Sequence, residues 1–134
     1  MESRASAGPA VGGVVVSPGD NWRALLRTRT NALISGPADA LDAFVDAARG
    51  ELQEPILVIP CDERIGLTPA GTVVLRNVHL LDAGAQATLV SWMDEPVNSR
   101  TQIVSVTPVP LVPGEFDRNL YYRLNTLHFT VQLA

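Results

Sequence analysis

Short apolar runs alternate with amphipathic stretches along this chain, and this alternation limits the folds open to it. The runs at residues 31–35, 55–59 and 102–107 have the length of strands and are bounded by turn residues. Residues 39–49 carry apolar side chains at the three- and four-residue spacing of a helix, which Gly50 ends. Continuous apolar strands separated by helices are typical of a mostly parallel sheet covered on both faces. The pattern predicts a three-layer α/β/α sandwich around a mostly parallel five-stranded sheet.

The predicted elements fit one domain that follows a short leader. Residues 1–18 are rich in Ala, Gly and Ser, and we interpret them as a flexible leader with at most one short edge strand around Val15. Residues 19–134 form the predicted α/β domain, and His128 in its last strand is expected to be buried. The predicted strands cover residues 31–35, 55–59, 72–77, 102–107 and 126–133, and the predicted helices begin near Asn21, Asp39, Asp82 and Phe116.

The charged residues argue against several functions. The net charge is −4, all ten basic residues are arginines, and the chain has no lysine. Arg23, Arg27, Arg29 and Arg49 could form a basic patch, but the acidic balance of the chain argues against a nucleic-acid binder. We therefore expect no direct DNA contact.

The lengths of the apolar runs and the single cysteine bear on the cellular compartment in which this protein is expected. No apolar run approaches the ~20 residues that span a bilayer, and the first residues lack the pattern of a signal peptide. The one cysteine, Cys61, excludes an intrachain disulfide and is typical of a reducing cytosol. We expect a cytoplasmic protein without a membrane partner.

Three blocks of sequence carry a resemblance to a known family. Residues 32–36 read Ala-Leu-Ile-Ser-Gly, residues 71–81 form an apolar strand that continues through Arg-Asn-Val-His-Leu-Leu, and residues 116–125 read Phe-Asp-Arg-Asn-Leu-Tyr-Tyr-Arg-Leu-Asn. Together they resemble the AAA+ ATPase domain of bacterial sigma-54-dependent transcription activators, whose last block reads F-R-x-D-L-Y-Y-R-L-N. The resemblance covers residues 31–133. It implies a P-loop NTPase sheet, a setting in bacterial transcriptional regulation, and association with a protein partner or with itself.

The phosphate loop that the family places after its first strand is degenerate here. A P-loop binds ATP because glycines let backbone N–H groups face the phosphates and a lysine neutralises their charge. After Gly36 this chain has Pro37, which lacks an N–H, and Asp42 stands at the lysine position while Asp39 adds a second negative charge. We expect this loop to repel ATP. The alternative is weak nucleotide binding through Gly36 and the first turn of the following helix, since helix N-termini attract phosphate.

The other parts of the family's ATPase machinery are also missing. Arg76 and Asn77 stand where the family has the Asp-Glu pair that holds magnesium, and Pro108 replaces its sensor asparagine. Only residues 62–70 connect the second and third predicted strands, where the family inserts its sigma-contacting loop. The chain also ends before the family's helical lid. We therefore expect a pseudo-ATPase without catalytic residues, bound metal or cofactor.

Arginines of the last block suggest a further alternative. In the family, arginines of this helix reach the ATP site of a neighbouring subunit, and Arg123 matches such a position whereas Arg118 is displaced by one residue. Arg123 is therefore a candidate arginine finger that acts in trans on an active ATPase partner. The favoured interpretation is an inherited residue in a surface or intrachain ion pair.

Two weaker alternatives involve Cys61 and His79. Each follows a predicted strand at its carboxyl end, where α/β sheets bind ligands, so a Cys–His nucleophilic pair is conceivable. His79 and Asp82, with Asp62 or Glu63, could also hold a metal ion, but their spacing matches no ligand motif. The favoured interpretation is that Cys61 is structural and that no metal binds.

Overall fold

The sheet has six strands, most of them parallel, in the computed structural model, which describes residues 13–19 and 21–134. The strands are β1 (Val14–Ser17), β2 (Ala32–Ser35), β3 (Ile56–Pro60), β4 (Thr72–Arg76), β5 (Gln102–Thr107) and β6 (Leu127–Leu133). Their order across the sheet is β1-β6-β2-β5-β4-β3. All neighbouring strands run parallel except β1, which pairs antiparallel with β6. The predicted α/β class with a mostly parallel sheet is confirmed.

The prediction of five strands was wrong by one edge strand. Val14 pairs with Leu133 and Ser17 pairs with Thr130, so the end of the predicted leader belongs to the sheet. Val14 and Val16 are buried whereas Val15 is exposed, which is the alternation expected of an edge strand with one covered face. Residues 1–12 of the predicted leader lie outside the described residues.

Four helices cover the sheet within the described residues, and side-chain caps begin two of them. The carboxylate of Asp82 accepts the N–H of Ala85 at 2.8 Å, and that of Asp117 accepts the N–H of Leu120 at 2.9 Å. The helices are α1 (Trp22–Leu26), α2 (Ala38–Ala48), α3 (Ala83–Asp94) and α4 (Arg118–Leu124), with single 3₁₀ turns at Arg49–Glu51, Val78–Leu80 and Pro96–Asn98.

Two hydrophobic clusters lie on opposite faces of the sheet. Phe44 of α2 is fully buried on one face and its ring lies 5.0 Å from that of Trp22 in α1. On the other face Leu89 of α3 and Leu120 of α4 are fully buried against the sheet. The helices therefore form a layer on each side of the strands, as the sequence predicts. Within the described ranges, no helix is both long enough and apolar enough to cross a membrane.

Glu51 ties α1 to the end of α2. Its carboxylate, only 13% exposed, accepts from Arg23 Nη1 at 2.9 Å and from Arg27 Nε at 2.6 Å. Arg29 Nη1 donates to its backbone carbonyl at 3.0 Å. The hydrogen bonds from Arg27 and then Arg23 hold the pKa of the Glu51 carboxyl below its usual value. Three of the four arginines considered for a basic patch thus contact one residue of the fold.

We expect Glu51→Gln to lower the free energy of unfolding at pH 7 by about 1 kcal/mol, because it removes a charge held by two arginines. The folded pKa is lowered, so the stabilisation is present above the unfolded pKa, near 4.3, and is lost as pH falls through the folded value. Urea denaturation should therefore give a difference that disappears in acid. Glu54→Gln, at an exposed carboxylate with no ion pair among the described residues, is the control. An equal loss at pH 7 and pH 3 would contradict the prediction.

Candidate functional site

The carboxyl ends of three central strands bring most of the candidate residues to one edge of the sheet. Ser35 at the end of β2 pairs with Thr107 at the end of β5, and Val106 pairs with Arg76 at the end of β4. The connections that follow these strands therefore leave the sheet side by side. This carboxyl edge is where open α/β sheets bind their ligands.

The connection from β2 to α2 contains only Gly36 and Pro37. A Cβ atom at Gly36 would overlap the backbone carbonyl oxygen of Val131 in β6, so this position needs glycine for close packing. Pro37 is the N-cap residue, and the helix begins at Ala38. A P-loop places a longer glycine-rich segment between its first glycine and its lysine. Two residues leave no loop that could surround a phosphate group.

The residues that the resemblance assigns to the lysine and magnesium-acid positions contact each other. Arg76 Nη2 donates to Asp42 Oδ1, and the side chains are 36% and 58% exposed. The pair carries the opposite charges from those that the resemblance implies, because the anion lies on α2 and the cation on β4. Surface ion pairs of this kind contribute up to about 1 kcal/mol. The two side chains therefore neutralise each other's charge at the carboxyl edge.

Asp39 and Asn77 complete the carboxyl edge. Asp39 lies in the first turn of α2, and its Oδ1 accepts the N–H of Ala40 at 2.8 Å. This carboxylate is placed where the positive end of the helix favours an anion. Asn77 follows β4 with a left-handed backbone (φ 58°), a conformation that asparagine tolerates, and it begins a 3₁₀ turn. Pro108 is exposed after β5.

The candidate arginine fingers lie elsewhere. Arg123 Nη2 donates to Asp94 Oδ1 at 2.6 Å, and the Arg123 carbonyl accepts from Asn31 Nδ2 at 3.0 Å. Asn31 directly precedes β2, so Arg123 lies at the edge where the parallel strands begin, away from Arg76. Arg118 is exposed beside Gly114, and no carboxylate lies within 4.0 Å of it among the residues described. Asp94 therefore competes for Arg123 with any phosphate group of a partner's ATP site.

The geometry disfavours Cys61 as a nucleophile. The side chain is buried, and its thiol faces the Ile59 carbonyl oxygen at 3.9 Å. Burial, with a smaller effect of the Asp62 charge, raises the pKa of the Cys61 thiol to about 12. A thiol needs its thiolate form to attack an electrophile, so this cysteine is inert at neutral pH. His79 has a buried Nδ1 that lacks a hydrogen-bond partner among the described residues.

No group of three or more His, Cys, Asp or Glu side chains that could hold a metal ion occurs in the part of the chain that the structure describes.

The prediction that His128 is buried was wrong. Its side chain is exposed on β6, and its Nε2 lies 3.4 Å from Ser35 Oγ at the carboxyl edge. An apolar strand does not bury every residue, because alternate side chains of a strand near the sheet edge face solvent.

The fold defines the class of protein only as an α/β domain with a mostly parallel sheet. At the carboxyl edge, the close contact at Gly36 and the Asp42–Arg76 ion pair lie between β2 and β4, and a cavity of about 870 Å³ lies beyond β3 and β4. Comparison with protein-family models and with curated proteins finds no match to this chain. The function is therefore inferred from the residues themselves.

Proposed function

We propose that this chain is an AAA+-like pseudo-ATPase domain that acts as a protein-interaction or regulatory module in bacterial transcription. It does not bind or hydrolyse ATP, and it associates with a protein partner or with itself. The observation that carries the proposal is the carboxyl edge, where the Asp42–Arg76 pair and a two-residue connection replace the phosphate loop.

The order of the five parallel strands supports the AAA+-like assignment. The first of them, β2, lies between β6 and β5, and the second, β3, lies at the far edge. AAA+ domains have this order, whereas the Rossmann and flavodoxin-like orders place the first two parallel strands side by side. The assignment thus uses both topology and the sequence of residues 116–125.

The charges and the connection length support the loss of ATP binding. A phosphate group near the start of α2 would approach the exposed carboxylate of Asp39, which has no ion pair among the described residues. Arg76 cannot compensate this charge freely, because its guanidinium group already pairs with Asp42. Repulsion between like charges about 4 Å apart amounts to several kcal/mol at an effective dielectric near 20.

Helix α4 supports a role in protein interaction. Tyr122 is 62% exposed, and Tyr121 beside it is half-buried with its hydroxyl accepting from Asn125 Nδ2 at 3.2 Å. The two rings lie 5.1 Å apart in an edge-to-face contact, which holds Tyr122 in place at the surface. Tyrosine and arginine are enriched among residues that dominate protein–protein binding, and Arg118 is exposed one helical turn before Tyr122.

We expect ATP with Mg²⁺ to leave the melting temperature of the protein unchanged. A ligand at 100 times its Kd adds about 2.7 kcal/mol of stability, so binding would be visible in a thermal-shift titration. Asp42→Ala should behave in the same way, because removing one carboxylate does not create a loop around the phosphates. Asp46→Ala, at an exposed residue of the same helix, controls for surface charge. A saturable rise in melting temperature, larger for Asp42→Ala, would instead support the alternative of residual nucleotide binding.

The proposed association with a protein partner or with itself is tested by a separate experiment. Sedimentation velocity compares the chain alone, at rising concentration, with the chain mixed with the AAA+ domain of a sigma-54-dependent activator. Association should occur in at least one of the two experiments, and Tyr122→Ala should weaken it. Ser91→Ala, at an exposed position of α3, is the control and should leave association unchanged. A monomer in every mixture would overturn this part of the proposal.

A further inference from the structure

A cleft of about 790 Å³ lies at the edge of the sheet where the parallel strands begin, opposite the carboxyl edge. Asn31, Gly71 and Thr101, which directly precede β2, β4 and β5, lie in its wall. Its volume is within the range of roughly 300–1,000 Å³ typical of small-molecule sites. We call it the amino-edge cleft.

The charge of the amino-edge cleft is opposite to that of the whole chain. Arg29, Arg100 and Arg123 line it, and none of its lining residues is acidic, although the chain carries a net charge of −4. Among the described ion pairs, one involves these arginines: Arg123 pairs with Asp94, whose side chain is exposed. Arg100 is exposed, without a carboxylate within 4.0 Å among the described residues. The charged side chains that line the cleft are therefore all basic.

The same cleft has an apolar wall. Trp92 and Met93 of α3 line it, and both are half-buried and also pack against the hydrophobic core of that face. Asn98 in the 3₁₀ turn that follows α3 is 4% exposed and donates from Nδ2 to the Trp92 carbonyl at 2.8 Å, which fixes the turn against the helix. Its Oδ1 accepts no hydrogen bond from the described part of the chain. Arginine side chains and an apolar wall thus occur together in this cleft.

We propose that the amino-edge cleft binds a small aromatic anion. Its carboxylate or phosphate group contacts Arg100 and Arg123, because guanidinium groups bind such anions through two parallel hydrogen bonds. Its ring packs against Trp92 and Met93. This inference is independent of the pseudo-ATPase proposal, since it concerns the opposite edge of the sheet and none of the residues at the degenerate phosphate loop.

Isothermal titration calorimetry of the full chain with phenyl phosphate, phenylacetate and benzyl alcohol tests this proposal. Saturable one-to-one binding is expected for at least one of the two anions, and the tighter anion identifies the group that the cleft prefers. Benzyl alcohol carries the ring without the charge and should not bind measurably. Arg100→Ala should weaken anion binding by about tenfold, the effect of losing one charge-assisted contact.

Two variants separate a built site from general charge attraction. Arg64→Ala removes another exposed arginine that lies outside the cleft, so binding should be unchanged. Asp94→Asn removes the carboxylate that competes for Arg123 and should tighten binding. Unchanged melting temperatures establish that the variants fold. The absence of saturable binding for both anions, equal losses in Arg100→Ala and Arg64→Ala, or equal affinity for inorganic phosphate and phenyl phosphate would each overturn the proposal.

Discussion

Gly36→Ala is expected to lower the free energy of unfolding by roughly 2–3 kcal/mol, the upper part of the range for overpacking. The added Cβ would overlap the backbone carbonyl oxygen of Val131, which cannot move aside without breaking the pairing of β2 with β6. Urea denaturation measures the change as a lower midpoint at a constant slope.

Gly50→Ala is the matched control for Gly36→Ala. No atom lies within 4 Å of a Cβ built at Gly50, so this change should alter the free energy of unfolding by less than about 0.5 kcal/mol. If Gly36→Ala is as stable as Gly50→Ala, then the packing against Val131 is not what requires glycine here. In that case the glycine would be better explained as a relic of the phosphate loop.

The architecture was largely predictable because its signals are local. A strand at residues 72–77 and a helix at residues 39–49 were predicted, and the structure has β4 at Thr72–Arg76 and α2 at Ala38–Ala48. The strand buries a continuous run of apolar side chains and the helix buries apolar side chains at helical spacing, and both patterns are visible in the sequence. The pairing of β1 was not predictable, because the partner of Val14 is Leu133 at the other end of the chain.

The sequence identifies the candidate residues, but it does not predict which of their side chains contact each other. The resemblance marks Asp42 and Arg76 as two separate positions, and only the packing of α2 beside β4 brings their side chains together. No sequence motif marks the amino-edge cleft, because its arginines, at positions 29, 100 and 123, are far apart along the chain. Helical spacing predicts Trp92 as a core residue because spacing identifies a covered face and does not tell how completely it is covered.

The polar residue at the start of β5 is another position that spacing does not explain. Gln102 is fully buried, as are all six residues of its strand. Its Nε2 donates to the carbonyl oxygens of Leu26 at 3.0 Å and Thr30 at 2.8 Å. These are the end of α1 and the turn after it, so this side chain fixes the path of the chain into β2.

Gln102→Glu is expected to destabilise the protein by roughly 3–5 kcal/mol at pH 7, since a buried carboxylate would face two carbonyl oxygens without a donor. Burial raises the pKa of such a carboxyl in the folded state. The folded variant then binds its proton more tightly than the unfolded chain, so its stability relative to the wild type falls as pH rises above the unfolded value of about 4.3. Urea denaturation from pH 4 to pH 8 measures this difference.

Gln102→Leu separates the lost hydrogen bonds from the buried charge. It leaves the Thr30 carbonyl without a described donor, whereas the Leu26 carbonyl still accepts from the Arg29 N–H at 3.1 Å. The change should cost roughly 1–3 kcal/mol at every pH, because leucine has no titrating group. The deficit of Gln102→Glu should approach or fall below this value in acid, where the protonated carboxyl can donate one hydrogen bond. A deficit of Gln102→Glu that does not change with pH would mean that the carboxylate reaches solvent. The end of α1 would then be mobile enough to release it, and Gln102 would not be the residue that fixes this turn.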